Sequence, residues 1–200
     1  QMCIRDRVYI PHFMSWVVAA SIFSMILSPT SAGLVNDILM KLHLISDNIY
    51  FLGDQKWWRF SYYLINVWKD TGWGTIIFMA TLAGISPELY EAASMDGANR
   101  FQKMIYITLP ALNNTIVTVL VLNLAKVMNL FESVFVLQND AVIKVSDVLQ
   151  TYIYTQTFNS GAIPDYGYTT AVGMFSSIIS CILVLVCNRV SHKTRGRGIV

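Results

Sequence analysis

Charged side chains are scarce in this chain of 200 residues. Only 13% of its residues are charged, whereas 54% are hydrophobic and the mean hydropathy is +0.50. Soluble domains carry about 25% charged residues, so the composition indicates a chain that is embedded in a membrane. The net charge of +2 does not indicate a basic surface for nucleic acid, and we expect no nucleic-acid partner.

Cysteines and catalytic motifs are scarce as well. The three cysteines, Cys3, Cys181 and Cys187, form neither a disulfide framework nor a zinc-binding pattern. There is no GxxxxGK[ST] loop for holding nucleotide phosphates, so ATP hydrolysis would have to come from a partner. The three histidines lie apart from any nucleophile. We therefore expect no catalytic residue, no metal ion and no cofactor.

Long apolar runs, in contrast, are abundant, and four of them are long enough to cross a bilayer. A helix needs about 20 apolar residues to cross a hydrocarbon layer of about 30 Å. The backbone of each run must form its own hydrogen bonds in lipid, which favours helices. The fold class expected is therefore an all-α integral membrane protein. The four predicted spans are residues 8–28, 60–86, 110–131 and 170–190.

Basic residues indicate how these spans are oriented. Lysine and arginine are enriched in the cytoplasmic loops of membrane proteins. The opposite side carries four basic residues over two longer loops, 29–59 and 132–168, so the bias is modest. We expect a cytoplasmic C-terminus. Four crossings place three basic segments together: Arg5 and Arg7; Arg100 and Lys103; and Lys193, Arg195 and Arg197.

The loop between the second and third spans, residues 86–110, has the most specific pattern in the chain. It reads E-A-A-x3-G-x9-I-x-L-P and lies between two long apolar runs. Asp96 and Ala98 surround the glycine in a D-G-A sequence. The fixed positions of the pattern are Glu91, Ala92, Ala93, Gly97, Ile107, Leu109 and Pro110.

Local chemistry predicts a bent pair of helices in this loop. Ser86 is a good N-cap residue, and a proline at the first helical position loses no hydrogen bond. Gly97 predicts a bend, because glycine adopts positive φ without strain. Asp96 is expected to cap a second helix over residues 98–106, and Pro110 to redirect the chain into the next span.

With these residues the chain resembles the inner-membrane permease subunits of binding-protein-dependent ABC importers, which have the MetI-like fold. Residues 86–110 are similar to their cytoplasmic EAA loop. A finer resemblance to the polysaccharide and oligosaccharide branch rests on residues 9–17, 68–73 and 89–93. The resemblance implies a carbohydrate importer in the bacterial plasma membrane that works by alternating access.

The resemblance also implies the partners of the chain. These would be two ATP-binding cassette subunits, a second homologous permease subunit, an extracytoplasmic solute-binding protein and the lipid bilayer. Glu91 would pair with a basic residue of the ATPase, and the turn 92–97 would lie in a groove on its surface. Two alternatives stay open: a permease of the same family for amino acids, peptides or other small solutes, and a membrane scaffold or exporter component without ATPase coupling.

The resemblance covers residues 8–200 as part of a MetI-like permease domain. Relatives typically have six spans and four are predicted here, so we expect the first two helices to be missing. Residues 1–7 are charged and show no periodicity. They fit either a foreign or mis-joined leader or a short native turn.

Polar residues within the predicted spans suggest a substrate path. Asn66, Lys69 and Asp70 are spaced i, i+3 and i+4, so they are expected to share one helix face. Charge inside a membrane usually faces a bundle interior or water. The alternatives are that a lysine extends outward to the membrane surface, or that Asp70 forms an internal ion pair. The candidate path consists of Asn66, Trp68, Lys69, Asp70, Asn123 and Lys126.

Aromatic residues are frequent in the second predicted external segment. Two roles remain open for them: packing at the bilayer interface, and contact with a solute-binding protein. The residues are Tyr152, Tyr154, Phe158, Tyr166 and Tyr168.

Overall fold

The computed structural model describes residues 9–30, 33–159 and 165–195, and within these ranges it contains helices and loops but no strand. Residues 1–7 lie outside these ranges. The α-helices, in chain order, are α1 (Trp16–Ile26), α2 (Leu34–Lys41), α3 (Gln55–Ala83), α4 (Pro87–Met95), α5 (Arg100–Lys103), α6 (Leu109–Val127), α7 (Glu132–Leu137), α8 (Ile143–Ser146), α9 (Leu149–Phe158) and α10 (Tyr166–Arg195). A π-helical segment, Met104–Thr108, joins α5 to α6.

The first predicted span is not one continuous helix. Residues 9–13 are helical, and the helix is interrupted at Met14 and Ser15. The next helix, α1, is only 11 residues long. Ser15 has extended backbone angles, and its hydroxyl accepts the backbone N–H of Val18 at 3.3 Å. Serine therefore caps a new helix here instead of continuing the old one. At 1.5 Å per residue α1 covers about 16 Å, roughly half of the hydrocarbon layer.

Two continuous helical stretches in the described part of the chain are long and apolar enough to cross a membrane. They are Arg100–Val127 and Tyr166–Arg189. They cover most of the third and fourth predicted spans, but the third ends at Val127 and not at residue 131 as predicted. The second predicted span falls in α3, which has 29 residues, but lysine, arginine and aspartate interrupt its apolar sequence. A hydrogen bond of 2.8 Å between the Thr81 and Thr115 hydroxyls joins α3 to α6.

The buried core lies around the first half of α3. Trp58, Tyr62 and Ile65 pack against α7 and the loop that follows it. The indole N–H of Trp58 donates to the Leu137 carbonyl at 3.0 Å, and the hydroxyls of Tyr62 and Ser133 lie 2.9 Å apart. Trp58 is only 3% exposed, so it is a core residue.

One buried asparagine fixes the loops between α1 and α3. Asn36 is completely buried, and its amide donates to the carbonyls of Ser28 and Ile49. Its side-chain oxygen accepts the N–H of Ile49 at 3.0 Å. All these polar atoms are satisfied, as buried amides require. These hydrogen bonds hold the loops between α1 and α3 together. The helices α4 and α5 follow the opposite end of α3.

Candidate functional site: a bent loop and a polar cavity

The first half of the loop 86–110 forms the predicted helix. It begins after Ser86, with Pro87 in the first turn. Ser86 occupies the N-cap position, but its side chain makes no capping hydrogen bond. Glu88 lies in the first turn, where the helix dipole favours a negative charge. The positions of Pro87 and Glu88 are therefore sufficient to start α4 without a capping hydrogen bond from Ser86.

Gly97 forms the bend, as predicted. Its φ is +79°, and the bend is a Schellman motif. The N–H of Ala98 donates to the Ala93 carbonyl at 2.9 Å, and the N–H of Gly97 donates to the Ser94 carbonyl at 3.1 Å. A Cβ atom on Gly97 would meet no heavy atom within 4 Å. The position therefore selects glycine through its backbone conformation and not through lack of space.

A different residue from the predicted one starts the second helix. Asp96 is the C-cap residue of α4, whereas Asn99 is the N-cap of α5. The Asn99 side chain accepts the N–H of Gln102 at 2.9 Å, and the Gln102 side chain accepts the N–H of Asn99 at 2.8 Å. This reciprocal capping box is absent at Asp96 because the Schellman turn at Gly97 places the helix start further along the chain.

Pro110 does not redirect the chain. The helix runs from Arg100 through Pro110 to Val127, and the π segment ends at Thr108, two residues before the proline. Proline has no N–H for the carbonyl four residues earlier, and its ring would crowd that carbonyl in a regular α-helix. A wider π turn accommodates such a residue. The second half of the loop is consequently continuous with α6.

Two side-chain bridges hold the halves of the loop together. The hydroxyls of Tyr90 and Thr108 lie 2.8 Å apart, and both side chains are half-buried. The ammonium of Lys103 donates to the Ser94 hydroxyl at 2.6 Å, and that hydroxyl donates to the Tyr90 carbonyl. Sequence reasoning missed these residues. The signal available was the i, i+4 spacing of Tyr90 and Ser94, two hydroxyls on one face of α4.

The sequence-predicted residues of the loop present an outward surface. Glu91 and Ala92 are exposed, and Ala93 is half-buried. Asp96 and Gly97 are exposed at the bend, whereas Ile107 is half-buried and Leu109 and Pro110 are exposed further along. Large exposed apolar side chains surround the bend: Leu89, Met95, Phe101, Met104 and Tyr106. A surface of this mixed kind suits docking to another protein.

A cavity of about 160 Å³ lies between α3 and α6, and we call it the polar cavity, although the apolar Ile77, Val119 and Leu122 line it beside the polar groups. It brings together Asp70 from the first predicted polar strip with Asn123 and Lys126 from the second. The ring of Trp73 lines the same cavity and stacks on His12, with ring centroids 5.1 Å apart. The cavity thus offers an acid, an amide, an ammonium and an aromatic face, the groups that bind sugar hydroxyls and rings.

His12 is a cavity residue that sequence reasoning missed. Its Nδ1 lies 3.9 Å from a carboxylate oxygen of Asp70, which is too long for a direct hydrogen bond, and this buried nitrogen has no hydrogen-bond partner. The two side chains form an ion pair when the histidine is protonated. His12 lies in the helical turn before α1, so only the folded arrangement brings it to α3.

Three residues of the predicted substrate path lie elsewhere. Lys69 is 5% exposed, donates to the His12 carbonyl at 3.2 Å and lies over the Trp16 ring at 5.1 Å. Asn66 donates to the carbonyl of Tyr62 in its own helix, and Trp68 packs edge-on against a phenylalanine of α1. Neighbouring helical residues diverge by about 100°, which explains why Lys69 points into the packing while Asp70 faces the cavity.

Part of the aromatic segment near α9 packs against rings at the start of α7, whereas Phe158, Tyr166 and Tyr168 are exposed. Phe131, Phe135, Tyr154 and Phe158 form one cluster of rings. The hydroxyls of Tyr152 and Tyr168 lie 3.4 Å apart, and the hydrogen bond to Tyr168 raises the pKa of Tyr152. These contacts tie α9 to the start of α10.

Comparison with known proteins identifies the family of the chain. Residues 7–196 match the family described as binding-protein-dependent transport system inner membrane component. The chain belongs to this family. It is 40% identical over 198 residues to protein LplB of Bacillus subtilis (strain 168), and 39% identical over 197 residues to the polygalacturonan/rhamnogalacturonan transport system permease protein YteP of the same organism. Each match covers 98% of this chain and 60% of the relative.

A solved structure extends the likeness to the fold. The match is to a bacterial alginate ABC transporter in complex with an alginate pentasaccharide-bound periplasmic protein, with a TM-score of 0.91 and 35% identity. It covers 99% of this chain and 67% of that chain. The predicted all-α class and MetI-like permease fold are thereby confirmed.

Proposed function

We propose that the chain is the translocation subunit of an ABC importer and moves carbohydrate, chiefly oligosaccharide, across the bacterial plasma membrane by alternating access. The observation that carries the proposal is the exposed, bent loop 86–110, which is continuous with a membrane-crossing helix. A rigid element that joins an exposed docking surface to a span can transmit a displacement. The carbohydrate relatives and the polar cavity support the cargo class.

The coupling residues are those at the outer surface of the bend. Glu91 supplies a charged contact, and Ala92 and Ala93 allow a partner to approach the backbone closely. Two ATP-binding cassette subunits are the proposed partners, because the family to which the chain belongs serves binding-protein-dependent transport systems. The other positions of the coupling loop are Asp96, Gly97, Ile107, Leu109 and Pro110.

The substrate path passes through the cavity between α3 and α6. Asp70, Asn123 and Lys126 provide hydrogen-bonding groups there, and Trp73 provides an aromatic face. Small-molecule sites usually combine a few convergent polar groups with an apolar or aromatic lining. Asn66, Trp68 and Lys69, which lie away from this cavity, are not part of the proposed path.

The remaining partners complete the path of the substrate. A second homologous permease subunit would cover the exposed apolar faces of α6 and α10 that lipid does not. An extracytoplasmic solute-binding protein would deliver cargo to the end of the bundle formed by the loops before α3 and after α6. The C-terminus would then lie in the cytoplasm on the same side as the coupling loop.

Uptake by the complete transporter tests this proposal. The chain, its partner permease, the ATPase subunits and the binding protein are reconstituted in proteoliposomes, and entry of labelled trigalacturonate, arabinotriose and a dipeptide is followed with and without ATP. ATP-dependent entry of a saccharide is expected. Entry of the dipeptide alone would favour the alternative cargo, and failure of the ATPase subunits to bind the permease would favour a scaffold.

A further inference from the structure

Two pairs of side chains join the two halves of the loop 86–110. On α4, Tyr90 and Ser94 are four residues apart and therefore lie on one helix face. Their partners, Thr108 and Lys103, are five residues apart, and Thr108 also directs its hydroxyl to the Lys103 carbonyl at 3.4 Å. Five residues is the repeat of the hydrogen bonds in a π-helix. Five residues of a regular α-helix overshoot one full turn by about 140°, and the wider turn of the π segment reduces this angle between the two side chains.

The π register is observed directly at the start of α6. The N–H of Leu109 donates to the carbonyl of Met104, five residues earlier. Pro110 follows at once and has no N–H of its own. Proline therefore contributes to the register that places the Thr108 hydroxyl against Tyr90. The far part of the same helix, Asn123 and Lys126, lines the polar cavity.

We propose that Tyr90 and Thr108, supported by Ser94 and Lys103, are positioning residues that make α4 and α6 move as one body. This inference rests on the proposed function, because the ATPase is the source of the movement. The Tyr90–Thr108 bridge transmits displacement of α4 to α6, and thereby to Asn123 and Lys126. Without it, α4 can pivot at Gly97 while α6 stays in place.

The test measures the distance between α4 and α6 in the intact complex. Spin labels are placed on cysteines introduced at Glu88 and Val127, both exposed, after the native cysteines are replaced. Pulsed electron resonance then gives the label distance without nucleotide and with ATP and vanadate. In the parent complex we expect one narrow distribution that is the same in both states.

Removing one hydroxyl should release this constraint. In Tyr90→Phe and Thr108→Val the distribution should broaden and shift when nucleotide binds, while the ATPase still co-purifies. Thr108→Ser, which keeps the hydroxyl, should behave as the parent. The double variant should be no worse than either single one, because both changes remove the same interaction. The turnover of ATP-driven transport should fall about fivefold in Tyr90→Phe and in Thr108→Val, which is the effect expected from the loss of one hydrogen bond.

Matched controls carry the same chemical changes elsewhere. Tyr63→Phe alters an exposed tyrosine of α3, and Thr118→Val alters a threonine that bonds only within α6 in the described contacts. Both should match the parent. An unchanged narrow distribution in Tyr90→Phe and Thr108→Val would overturn the inference and leave the proposed function intact. Loss of ATPase binding by the parent complex itself would instead overturn the proposed function.

Discussion

At the scale of single residues, the polar side chains of the predicted spans have two different roles. Asp70 faces a cavity. Its neighbour in sequence, Lys69, is buried, and its ammonium lies over the Trp16 ring and donates to the His12 carbonyl. The same spacing pattern therefore contains one candidate ligand-binding group and one packing group. Each role predicts a different measurable loss.

For Asp70 the expected loss is in transport. Asp70→Asn keeps the size of the side chain and removes its charge, and hydrogen bonds to a charged group are worth about 1.5–3 kcal/mol. Uptake at equal expression should therefore fall by about tenfold or more, with the ATPase still bound. Val67→Ala, on the exposed side of α3, is the control and should retain uptake. Equal uptake by both variants would remove Asp70 from the substrate path.

For Lys69 the expected loss is in stability. Lys69→Ala removes a buried stem and a hydrogen bond, which costs about 2 kcal/mol and lowers the Tm in detergent by about 4–8 °C in a chain of this size. Lys126→Ala, at the exposed cavity wall, should leave the Tm within about 1 °C, since exposed substitutions cost little. A lower Tm for the Lys126 variant alone would reverse these assignments.

At the scale of elements, local chemistry predicted the loop better than the spans. Pro87 and Gly97 act through their own backbone preferences, so their effects could be read from the sequence. The helix start at Asn99 could not, because Asp96 is equally suitable by type and only the Schellman turn decides between them. The break at Ser15 was missed since an apolar run hides a single capping residue.

Tertiary packing sets the remaining features of the elements. The approach of His12 to Asp70 joins two segments far apart in sequence, and no pattern in either predicts it. Cys181 and Cys187 lie in one apolar run of α10, yet Cys181 is exposed on its helix and Cys187 is half-buried. An apolar run alone does not distinguish a face that meets protein from one that meets lipid.

The π segment before Pro110 yields a prediction about the element as a whole. Pro110→Ala supplies the missing N–H and a better helix former, so the wide turn should relax to a regular helix. The Tm should stay the same or rise, while ATP-driven uptake falls because Thr108 rotates away from Tyr90. Thermal unfolding and uptake are measured on the same preparation. Full uptake at unchanged Tm would show that the π register is dispensable.

For the whole molecule, the proposal requires a definite orientation in the membrane. Single cysteines at Asn48 and Asn99, in a background without native cysteines, distinguish the two sides. An impermeant thiol reagent added to intact cells should label position 48 and leave position 99 unlabelled until the cells are opened. Labelling of position 99 from outside would place the bent loop on the wrong side for an ATPase.

The central claim is that the bend at Gly97 and the charge of Glu91 dock the ATPase. Valine at φ +79° is strained by about 1–2 kcal/mol although space is available. Glu91→Lys reverses the charge at the proposed contact with the ATPase, where like charges would repel. Neither change touches a membrane-crossing run, so both variants should insert normally. The controls are Gly173→Val, an equally open glycine in α10, and Glu132→Lys, an exposed acid at the start of α7.

Co-purification of the ATPase subunits with the permease in detergent tests this claim most directly. The account predicts that the parent and both control variants retain the ATPase, whereas Gly97→Val and Glu91→Lys lose it and lose ATP-driven uptake. Retention of the ATPase together with normal uptake in both loop variants would contradict the account, because residues 86–110 would then not be the element that couples ATP hydrolysis to transport.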